Sequence, residues 1–389
     1  MSDSRRSFIT RAATGGAAIA AAGTATAAEA KPTADLIRVG VMAVGQYSHL
    51  NSKGSIWAPS MNPTEPGRWP GRTSILTITH CWDSRPEIAG EFAERYKCEA
   101  VAGYDDMVGK VDALVTGGMY ECKWWPQLTR PYLEAGIPTF INRPFALSMK
   151  AAREMVERSR RHSAPIMSTD AHEDMKETIV ARQHVEELRA AGKAILGADS
   201  TTGAHEYPAH MVHALFMVLS VFGLDVERVS LQAPGWWSEA TPTNARTMDW
   251  GILALQYRGL SVEGAEPQTK PFLVTVHAIG GNYGSRATLR VYHTGGWQDF
   301  DHYQINARKN LIDQRYHLQA KTVFNLQRMF ESGVMPASHD YILGKTRIFL
   351  AGFYSLLERD GRMTGVDEVP EDWEAPSPFP DWIDERIFG

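Results

Sequence analysis

The sequence predicts an α/β protein with an N-terminal Rossmann-type, doubly wound parallel sheet and a C-terminal α/β domain with an open, mostly antiparallel sheet. Two observations lead to this prediction. In the first half, short apolar runs alternate with segments of helical length, which is the order that builds a parallel sheet. From about residue 195, longer segments rich in aromatic and β-branched residues follow, such as Phe272 to Ala278. Such segments are typical of antiparallel strands.

Five short strands and three helices are predicted in the first half. The segment Pro86 to Tyr96 reads as an amphipathic helix because Ile88, Phe92 and Tyr96 are spaced by four. Gly117 and Gly118 end one buried apolar run, and Ala135-Gly136 stops the helix that follows it. The predicted strands are Leu36 to Met42, Ile75 to Thr79, Asp112 to Thr116, Thr139 to Ile141 and Pro165 to Ser168, and the other two helices are Trp125 to Glu134 and Lys150 to His162.

The second half is predicted to contain four strands and two covering helices. Its end, from Val369 to Gly389, is rich in proline, acidic residues and aromatic residues without periodicity. It is therefore predicted to be an extended arm that packs on this subunit or on a neighbouring one. The predicted strands are Val229 to Gln232, Gly251 to Tyr257, Phe272 to Ala278 and Ala287 to His293, and the helices are His210 to Leu219 and Tyr341 to Leu357.

The N-terminus is predicted to be an export signal. Arg5 and Arg6 precede Phe8 and a weakly apolar run rich in alanine and glycine, and Ala25-Thr26-Ala27 and Ala28-Glu29-Ala30 are candidate cleavage sites. This order is typical of the twin-arginine route, so the expected location is periplasmic or secreted and the export machinery is an expected partner. The predicted boundaries are 1–30 for the signal, 31–168 for the Rossmann domain, 169–368 for the substrate and oligomerisation domain, and 369–389 for the arm.

Composition excludes several classes of protein. The chain has 389 residues, 43% hydrophobic and 22% charged, with a net charge of −5. This length suffices for two domains with separate cores. The mild acidic excess provides no basic surface for nucleic acid, and no apolar run reaches the roughly 20 residues of a membrane span. Three unclustered cysteines, Cys81, Cys98 and Cys122, indicate neither a disulfide framework nor a metal site.

One stretch carries a family resemblance. From Val111 to Pro144 the sequence reads as a strand, a helix and a second strand that ends in Asn142-Arg143-Pro144. This layout resembles the Gfo/Idh/MocA oxidoreductases, in which the second strand ends in Glu-Lys-Pro and the lysine contacts substrate and nicotinamide. The segment from Val212 to Gly223 is similar to the family's histidine-bearing helix, and the resemblance extends over roughly residues 36 to 362. It implies the family's fold and a nicotinamide cofactor.

The expected cofactor turn follows the first strand. A dinucleotide fingerprint requires small residues where the backbone turns tightly and approaches the pyrophosphate. The family's turn aligns with Ala43, Gly45 and Ser48, so the central glycine is retained. Asp83, after the second strand, is the candidate for the ribose hydroxyls, which favours NAD over NADP. The predicted cofactor-binding residues are Ala43, Gly45, Ser48, Asp83, Gly117, Asn142 and Arg143.

The resemblance also implies a catalytic constellation, with two replacements. His213 matches the family's histidine, whereas Ala209 and Arg143 stand where the family has aspartate and lysine. Arginine stays protonated in proteins, so Arg143 is expected to orient a substrate oxygen and not to accept a proton. A histidine titrates near neutral pH. The predicted catalytic residues are therefore His213, Arg143, Tyr207 and His210.

Substrate-binding residues and a possible metal site are considered next to these catalytic residues in the sequence, because the same polar side chains could serve either role. The predicted substrate-binding residues are Arg143, His172, Glu206 and His213. A His-Glu-x-x-His metal motif fails, because His205 and His210 are five residues apart with Pro208 between them. His210 and His213, with His172 or Asp170, remain an alternative set of ligands, but no metal is expected.

Three functions fit these observations. The first is an NAD(P)-dependent oxidoreductase that acts on a sugar, a cyclitol or a related polyhydroxy compound. The second is a glycoside hydrolase or lyase that uses the nucleotide for transient oxidation. The third is a non-catalytic carbohydrate-binding protein that has lost the nucleotide. Net reduction of NAD separates the first from the second, and retention of a nucleotide separates the third from both. The protein is also expected to form a homo-oligomer.

Overall fold

The computed structural model describes residues 36–45, 48–50, 57–61, 75–118, 121–203, 207, 211–233, 250–259, 270–279, 287–301, 319–377 and 383–388. Residues 36–389 belong to one compact unit. The predicted signal at 1–30 lies outside the described residues. None of the described helices is both long enough and apolar enough to cross a membrane.

The first sheet has six parallel strands in the order β3-β2-β1-β4-β5-β6. This is the doubly wound order that places a ligand at the carboxyl ends of the strands. The central strand β4 is buried at all four positions, as expected for a parallel strand covered on both faces. The strands are β1 (Ile37–Met42), β2 (Leu76–Trp82), β3 (Glu99–Ala100), β4 (Ala113–Thr116), β5 (Thr139–Phe140) and β6 (Ile166–Met167).

Helices separate these strands, and their ends follow from the local sequence. The helix after β2 begins with proline at its first turn and ends at Lys97, which takes a left-handed conformation. The helix after β5 is capped by Ser148, whose hydroxyl accepts a hydrogen bond from the Ala151 N–H. The helices are α1 (Trp57–Ser60), α2 (Pro86–Tyr96), α3 (Trp125–Leu128), α4 (Arg130–Glu134) and α5 (Met149–Arg161).

The second sheet has the order β12-β11-β7-β10-β9-β8-β13. Its β7–β10 pair is parallel, and its other pairs are antiparallel, so the predicted mostly antiparallel sheet is confirmed. Its strands are β7 (Ile195–Gly203), β8 (Val226–Gln232), β9 (Trp250–Tyr257), β10 (Phe272–Ile279), β11 (Ala287–His293), β12 (Gly296–Asp301) and β13 (Thr364–Gly365).

The described residues of the second half form four helices: α6 (Lys176–Ala190), α7 (Val212–Phe222), α8 (Ala320–Ser332) and α9 (His339–Glu358). Helices α7 and α9 pack on the second sheet, α7 against β7 and β10 and α9 against β8. Helix α8 instead packs on the first sheet, because Val323, Leu326 and Met329 share a buried cluster with Val39 and Val41. A late segment of the chain therefore completes the N-terminal core.

The C-terminal arm packs on its own chain. The Ala375 N–H donates to the Leu147 carbonyl at 2.8 Å, and Ile383 is buried. The aromatic ring of Phe388 stacks on that of Trp124, with 5.3 Å between ring centroids. Of the two predicted locations for the arm, the described residues occupy the one on the same subunit.

Candidate active site

The carboxyl ends of β1, β4, β5 and β6 meet at one edge of the first sheet, and Asn142 joins the ends of β4 and β5. Its backbone N–H donates to the Thr116 hydroxyl at 2.8 Å. Its side-chain amide donates to the carbonyls of Gly117 and Gly118 at 2.9 and 3.0 Å. The predicted cofactor and substrate residues on these strand ends are thus brought to one place.

The described part of the turn after β1 begins in a left-handed conformation. Ala43, at the position of the first glycine of the fingerprint, has φ of 57°. This left-handed conformation is the one that glycine adopts without steric penalty, and it costs alanine about 1 kcal/mol. The turn after β4 lies close to it, since the His49 N–H donates to the Gly117 carbonyl at 2.8 Å. A Cβ at Gly117 would collide with the side chains of Ser48 and Leu50.

Asp83 lies at this turn, as the sequence predicted, although its ribose role stays a prediction. Its carboxylate accepts hydrogen bonds from the Val44 N–H at 2.9 Å and from the Arg85 N–H and Nε at 3.1 Å. Burial raises the pKa of Asp83, and the charge of Arg85 opposes this shift. An acidic residue here suits the ribose hydroxyls of NAD, whereas a nearby arginine suits the 2′-phosphate of NADP. Both residue types are present.

Gly45→Val is expected to weaken nucleotide binding by about tenfold or more, since the new side chain would occupy the space that the pyrophosphate approaches. A Cβ at Gly45 would meet the guanidinium of Arg85, the flexible end of a side chain, and so the fold should survive. Calorimetric titration with NAD(H) and NADP(H) measures the loss, after any retained nucleotide has been removed. Unchanged affinity in a folded variant would place the pyrophosphate elsewhere.

Asp170 is the centre of the polar cluster at this edge. One oxygen accepts from His213 Nδ1 at 2.6 Å and Arg143 Nε at 2.9 Å. The other accepts from the His172 N–H at 2.8 Å and His172 Nδ1 at 2.9 Å. Burial alone would raise the pKa of Asp170, but hydrogen bonds from His172 and His213 hold it well below its usual range. Asp170 is therefore an ionised acceptor.

These contacts define the protonation state of His213. Because Nδ1 donates to Asp170, Nε2 carries the lone pair, and it accepts from Arg143 Nη2 at 2.7 Å. Burial and the positive charge of Arg143 hold the pKa of His213 well below its ordinary value, although Asp170 opposes the shift. His213 is thus a neutral imidazole with a basic nitrogen directed at the guanidinium.

His49 has the same tautomer, and it was not predicted from the sequence. The amide of Asn142 is oriented by two carbonyls, so its oxygen faces His49 Nδ1, 3.2 Å away, and can only accept. His49 Nε2 is then the acceptor for Arg143 Nη2 at 3.2 Å. One guanidinium nitrogen is shared by two neutral histidines. No local motif marks His49, because its position depends on the fold of the β1 turn.

His172 lies against His213, with ring centroids 4.4 Å apart. Ligand atoms of Asp170, His172 and His213 all lie within 4.8 Å of one another, which is a possible metal-binding arrangement. The guanidinium of Arg143, only 2.7 Å from His213 Nε2, opposes a second positive charge at this position.

Tyr207, another predicted catalytic residue, is not part of this cluster. Tyr207 is buried in the core, where its hydroxyl donates to the Phe349 carbonyl at 2.9 Å and its ring stacks on that of Phe349. Burial raises the pKa of Tyr207. A phenol held in this way does not contact the polar cluster around Asp170. His210 and Glu206 lie outside the described residues, and their predicted roles stay predictions.

A buried ion pair supports the segment that carries Asp170. Lys345 Nζ donates to the Ser168 carbonyl at 2.9 Å and to Glu173 Oε1 at 2.6 Å. The same Glu173 oxygen accepts from the Asp170 N–H at 2.7 Å, and the other accepts from the Tyr341 hydroxyl at 3.0 Å. Lys345 lies on the buried face of α9 between Ile342 and Phe349. A lysine on an apolar helix face was the sequence signal that could have revealed this pair.

The unfolding free energy is expected to decrease as the pH falls below about 6.5, in part because of His213. The folded-state pKa is depressed, so the unfolded chain takes up the proton first, and stability is lost at up to about 1.4 kcal/mol per pH unit. Urea unfolding of wild type and His213→Gln between pH 7 and pH 5, a range chosen to span roughly the histidine pKa, measures the difference. Equal slopes would show that His213 is protonated in the folded protein.

One segment of the chain matches a known protein family. Residues 58–169 match the Gfo/Idh/MocA family, described as an oxidoreductase family with an NAD-binding Rossmann fold. The fold is that of the Gfo/Idh/MocA dehydrogenases. No curated protein sequence matches the chain. The family match spans β2 to β6 and includes Asn142 and Arg143, but it begins after β1 and ends before Asp170.

Solved structures agree over most of the chain at low identity. A probable dehydrogenase from Thermotoga maritima is 14% identical with a TM-score of 0.62, covering 86% of this chain and 100% of that one. Scyllo-inositol dehydrogenase from Lactobacillus casei, with bound NAD(H) and scyllo-inositol, is 11% identical with a TM-score of 0.64, with coverage of 86% and 100%. Myo-inositol 2-dehydrogenase from Lactobacillus plantarum is 13% identical with a TM-score of 0.64, with coverage of 85% and 99%.

Proposed function

We propose that the protein is an NAD(P)-dependent oxidoreductase that oxidises a CH–OH carbon of a sugar, cyclitol or related polyhydroxy compound. The observation that carries this proposal is the neutral His213 at the carboxyl edge of a Rossmann sheet, with Nδ1 on Asp170 and Nε2 on Arg143. The family match and the scyllo-inositol bound by the Lactobacillus casei enzyme support the substrate class.

The residues at the edge of the sheet fit a nicotinamide nucleotide. The left-handed turn at Ala43 and the absence of a side chain at Gly45 allow the backbone to approach a pyrophosphate. Asp83 places a carboxylate beside that turn. When bound, the nicotinamide ring supplies the hydride acceptor. The nucleotide would then extend from the β1 turn towards Asn142 and Arg143.

Oxidation of an alcohol also requires a proton acceptor, and His213 supplies it. As the C–H hydride leaves, the hydroxyl proton passes to His213 Nε2, and the substrate oxygen becomes a carbonyl. The ionised Asp170, 2.6 Å from Nδ1, stabilises the resulting imidazolium. Arg143 donates to the substrate oxygen in place of its hydrogen bond to His213. Arg143 itself keeps its proton throughout.

The test is net reduction of NAD⁺ or NADP⁺, followed by nicotinamide absorbance, with a panel of inositols, aldoses and their glycosides. The proposal expects stoichiometric formation of NAD(P)H and a ketone or lactone. Cleavage of a glycoside without net NAD(P)H would favour transient oxidation instead. A folded protein that neither retains nor binds nucleotide would favour the carbohydrate-binding relic.

We further propose export by the twin-arginine route, on the basis of the Arg5-Arg6 pair and the weakly apolar run behind it. Replacing both arginines by lysine is expected to leave the protein unprocessed in the cytoplasm, because that route reads the arginine pair. Cell fractionation with a matched Lys31→Arg control measures the distribution. Normal periplasmic recovery of the double variant would contradict this route.

A further inference from the structure

The segment from Thr169 to Asp174 has two sides. Asp170 and His172 belong to the catalytic cluster, as shown by their mutual hydrogen bonds and by the contact of Asp170 with His213. Thr169, Glu173 and Asp174 instead line a cleft of 370 Å³. One short 3-10 turn therefore separates the candidate active site from a second concave surface.

The walls of this cleft come from several helices. Arg182 belongs to α6 and Ser220 to α7, while Asn325 belongs to α8. Ser338 and Tyr341 close it from the first turn of α9. Its volume is near the lower end of the roughly 300–1,000 Å³ that small-molecule sites span. The cleft has room for one small ligand.

The charges around the cleft balance. Glu173 is neutralised by Lys345, whose Nζ lies 2.6 Å from its carboxylate. Burial raises the pKa of Asp174, and the attraction of Lys321 and Arg182 opposes this shift. A ligand with a net charge would therefore meet a nearby group of the same sign. A neutral ligand is favoured.

The remaining groups are those that recognise hydroxyls. The carboxylates of Glu173 and Asp174 accept hydrogen bonds, while the guanidinium of Arg182 donates them. The amide of Asn325 already donates to Asp174 at 2.9 Å and has a carbonyl oxygen that accepts. The Thr169 hydroxyl is buried and has no hydrogen-bond partner among the described residues. Both donors and acceptors line the cleft, and a polyol is a small neutral molecule that matches both.

We propose that this cleft is a second binding site, which takes a small neutral polyhydroxy compound and adjusts turnover at the first. The cleft and the candidate active site are connected through one residue, because Glu173 lines the cleft and also accepts the Asp170 N–H at 2.7 Å. A ligand that contacts Glu173 alters the support of Asp170 and, through it, of His213. Such a ligand would change kcat and leave the KM for the substrate largely unchanged.

Direct binding is tested first, by ligand-observed NMR titration of the full-length protein with erythritol and sorbitol. Arg182→Ala is expected to weaken binding by about tenfold, since a hydrogen bond from a charged donor is lost. Thr169→Val should weaken it severalfold without lowering the melting temperature, because an unpartnered hydroxyl is replaced by a methyl of the same shape. Arg328→Ala, an exposed arginine on α8, is the matched control and should bind as wild type.

The candidate active site takes polyols under the proposed function, so the two sites must be separated. The cleft should still bind in His213→Ala and in Arg143→Ala, and it can be measured even if no turnover is found. Binding that is lost in Arg143→Ala but retained in both Arg182→Ala and Thr169→Val would place the probes in the first site alone and overturn the proposal. Failure of both probes to bind at any accessible concentration would also overturn it.

Discussion

His213→Ala is expected to lower turnover by roughly two to four orders of magnitude while substrate affinity is largely kept. The variant removes the imidazole whose Nδ1 donates to Asp170 and whose Nε2 accepts from the Arg143 guanidinium. Without it, the proton of the substrate hydroxyl has no positioned acceptor. Steady-state and single-turnover kinetics with the substrate found by NAD(P)⁺ reduction measure the change.

Arg143→Ala provides the contrast. It should mainly raise KM, because the donor to the substrate oxygen is lost. It should also raise the pKa of His213, whose depression is partly due to the Arg143 charge. The acid limb of the pH–rate profile should therefore move towards pH 6.5, roughly the value of an ordinary histidine. Near-normal turnover in His213→Ala would show that another group accepts the proton, and His49 would be the next residue to test.

Lys345→Met is expected to lower the unfolding free energy by about 3–5 kcal/mol, the cost of leaving one member of a buried ion pair without its partner. Lys345 is 2% exposed, and its ammonium group bonds both Glu173 and the Ser168 carbonyl. The stranded carboxylate would be Glu173, which burial already biases towards protonation by raising its pKa. Urea unfolding of nucleotide-free protein at neutral pH measures the loss.

The double variant Glu173→Gln with Lys345→Met is the matched control. The glutamine oxygen can still accept from the Asp170 N–H, and no buried charge remains at the pair. The double variant should therefore be more stable than Lys345→Met alone. If the single variant is as stable as the double, the pair does not hold the Asp170 segment as described.

Elements with strong hydrophobic periodicity were predicted almost to the residue. The helix α2 and the strands β9, β10 and β11 begin and end within a residue of their predicted bounds. In these segments the buried face is apolar throughout, so the sequence pattern and the packing carry the same information. The predicted helix Trp125 to Glu134 is divided in two around Thr129, where Pro131 lacks the N–H that would continue the helical hydrogen bonds.

Elements with a weak pattern were missed. Helix α6 has charged residues throughout, and two of its four buried residues are Thr178 and Ala181, so it has no broad apolar stripe. Strand β7 turns Ala198, Ser200 and Thr202 inwards, small or polar residues that give no alternation. Helix α6 and strand β7 are stabilised by the elements that pack against them, and a local sequence pattern contains no information on those contacts.

Some residues of the candidate active site were predicted from the sequence and others were not. Arg143 and His213 were predicted from the family resemblance of their strand end and helix start, and the fold brings them together. Tyr207 was also predicted, yet it lies in the core, because its side chain is directed by packing against Phe349. His49 and Lys345 were not predicted, since each reaches the cluster only through contacts distant in sequence.

The central claim is that the carboxyl edge of the first sheet holds a nicotinamide nucleotide beside Arg143 and His213. The most direct measurement is to denature the purified protein and identify any released nucleotide by mass spectrometry, followed by titration with NAD(H) and NADP(H) if none is released. Release of a nicotinamide nucleotide in a near 1:1 ratio, or saturable binding that Gly45→Val weakens, is the result expected. A folded protein that neither releases nor binds one would contradict the account.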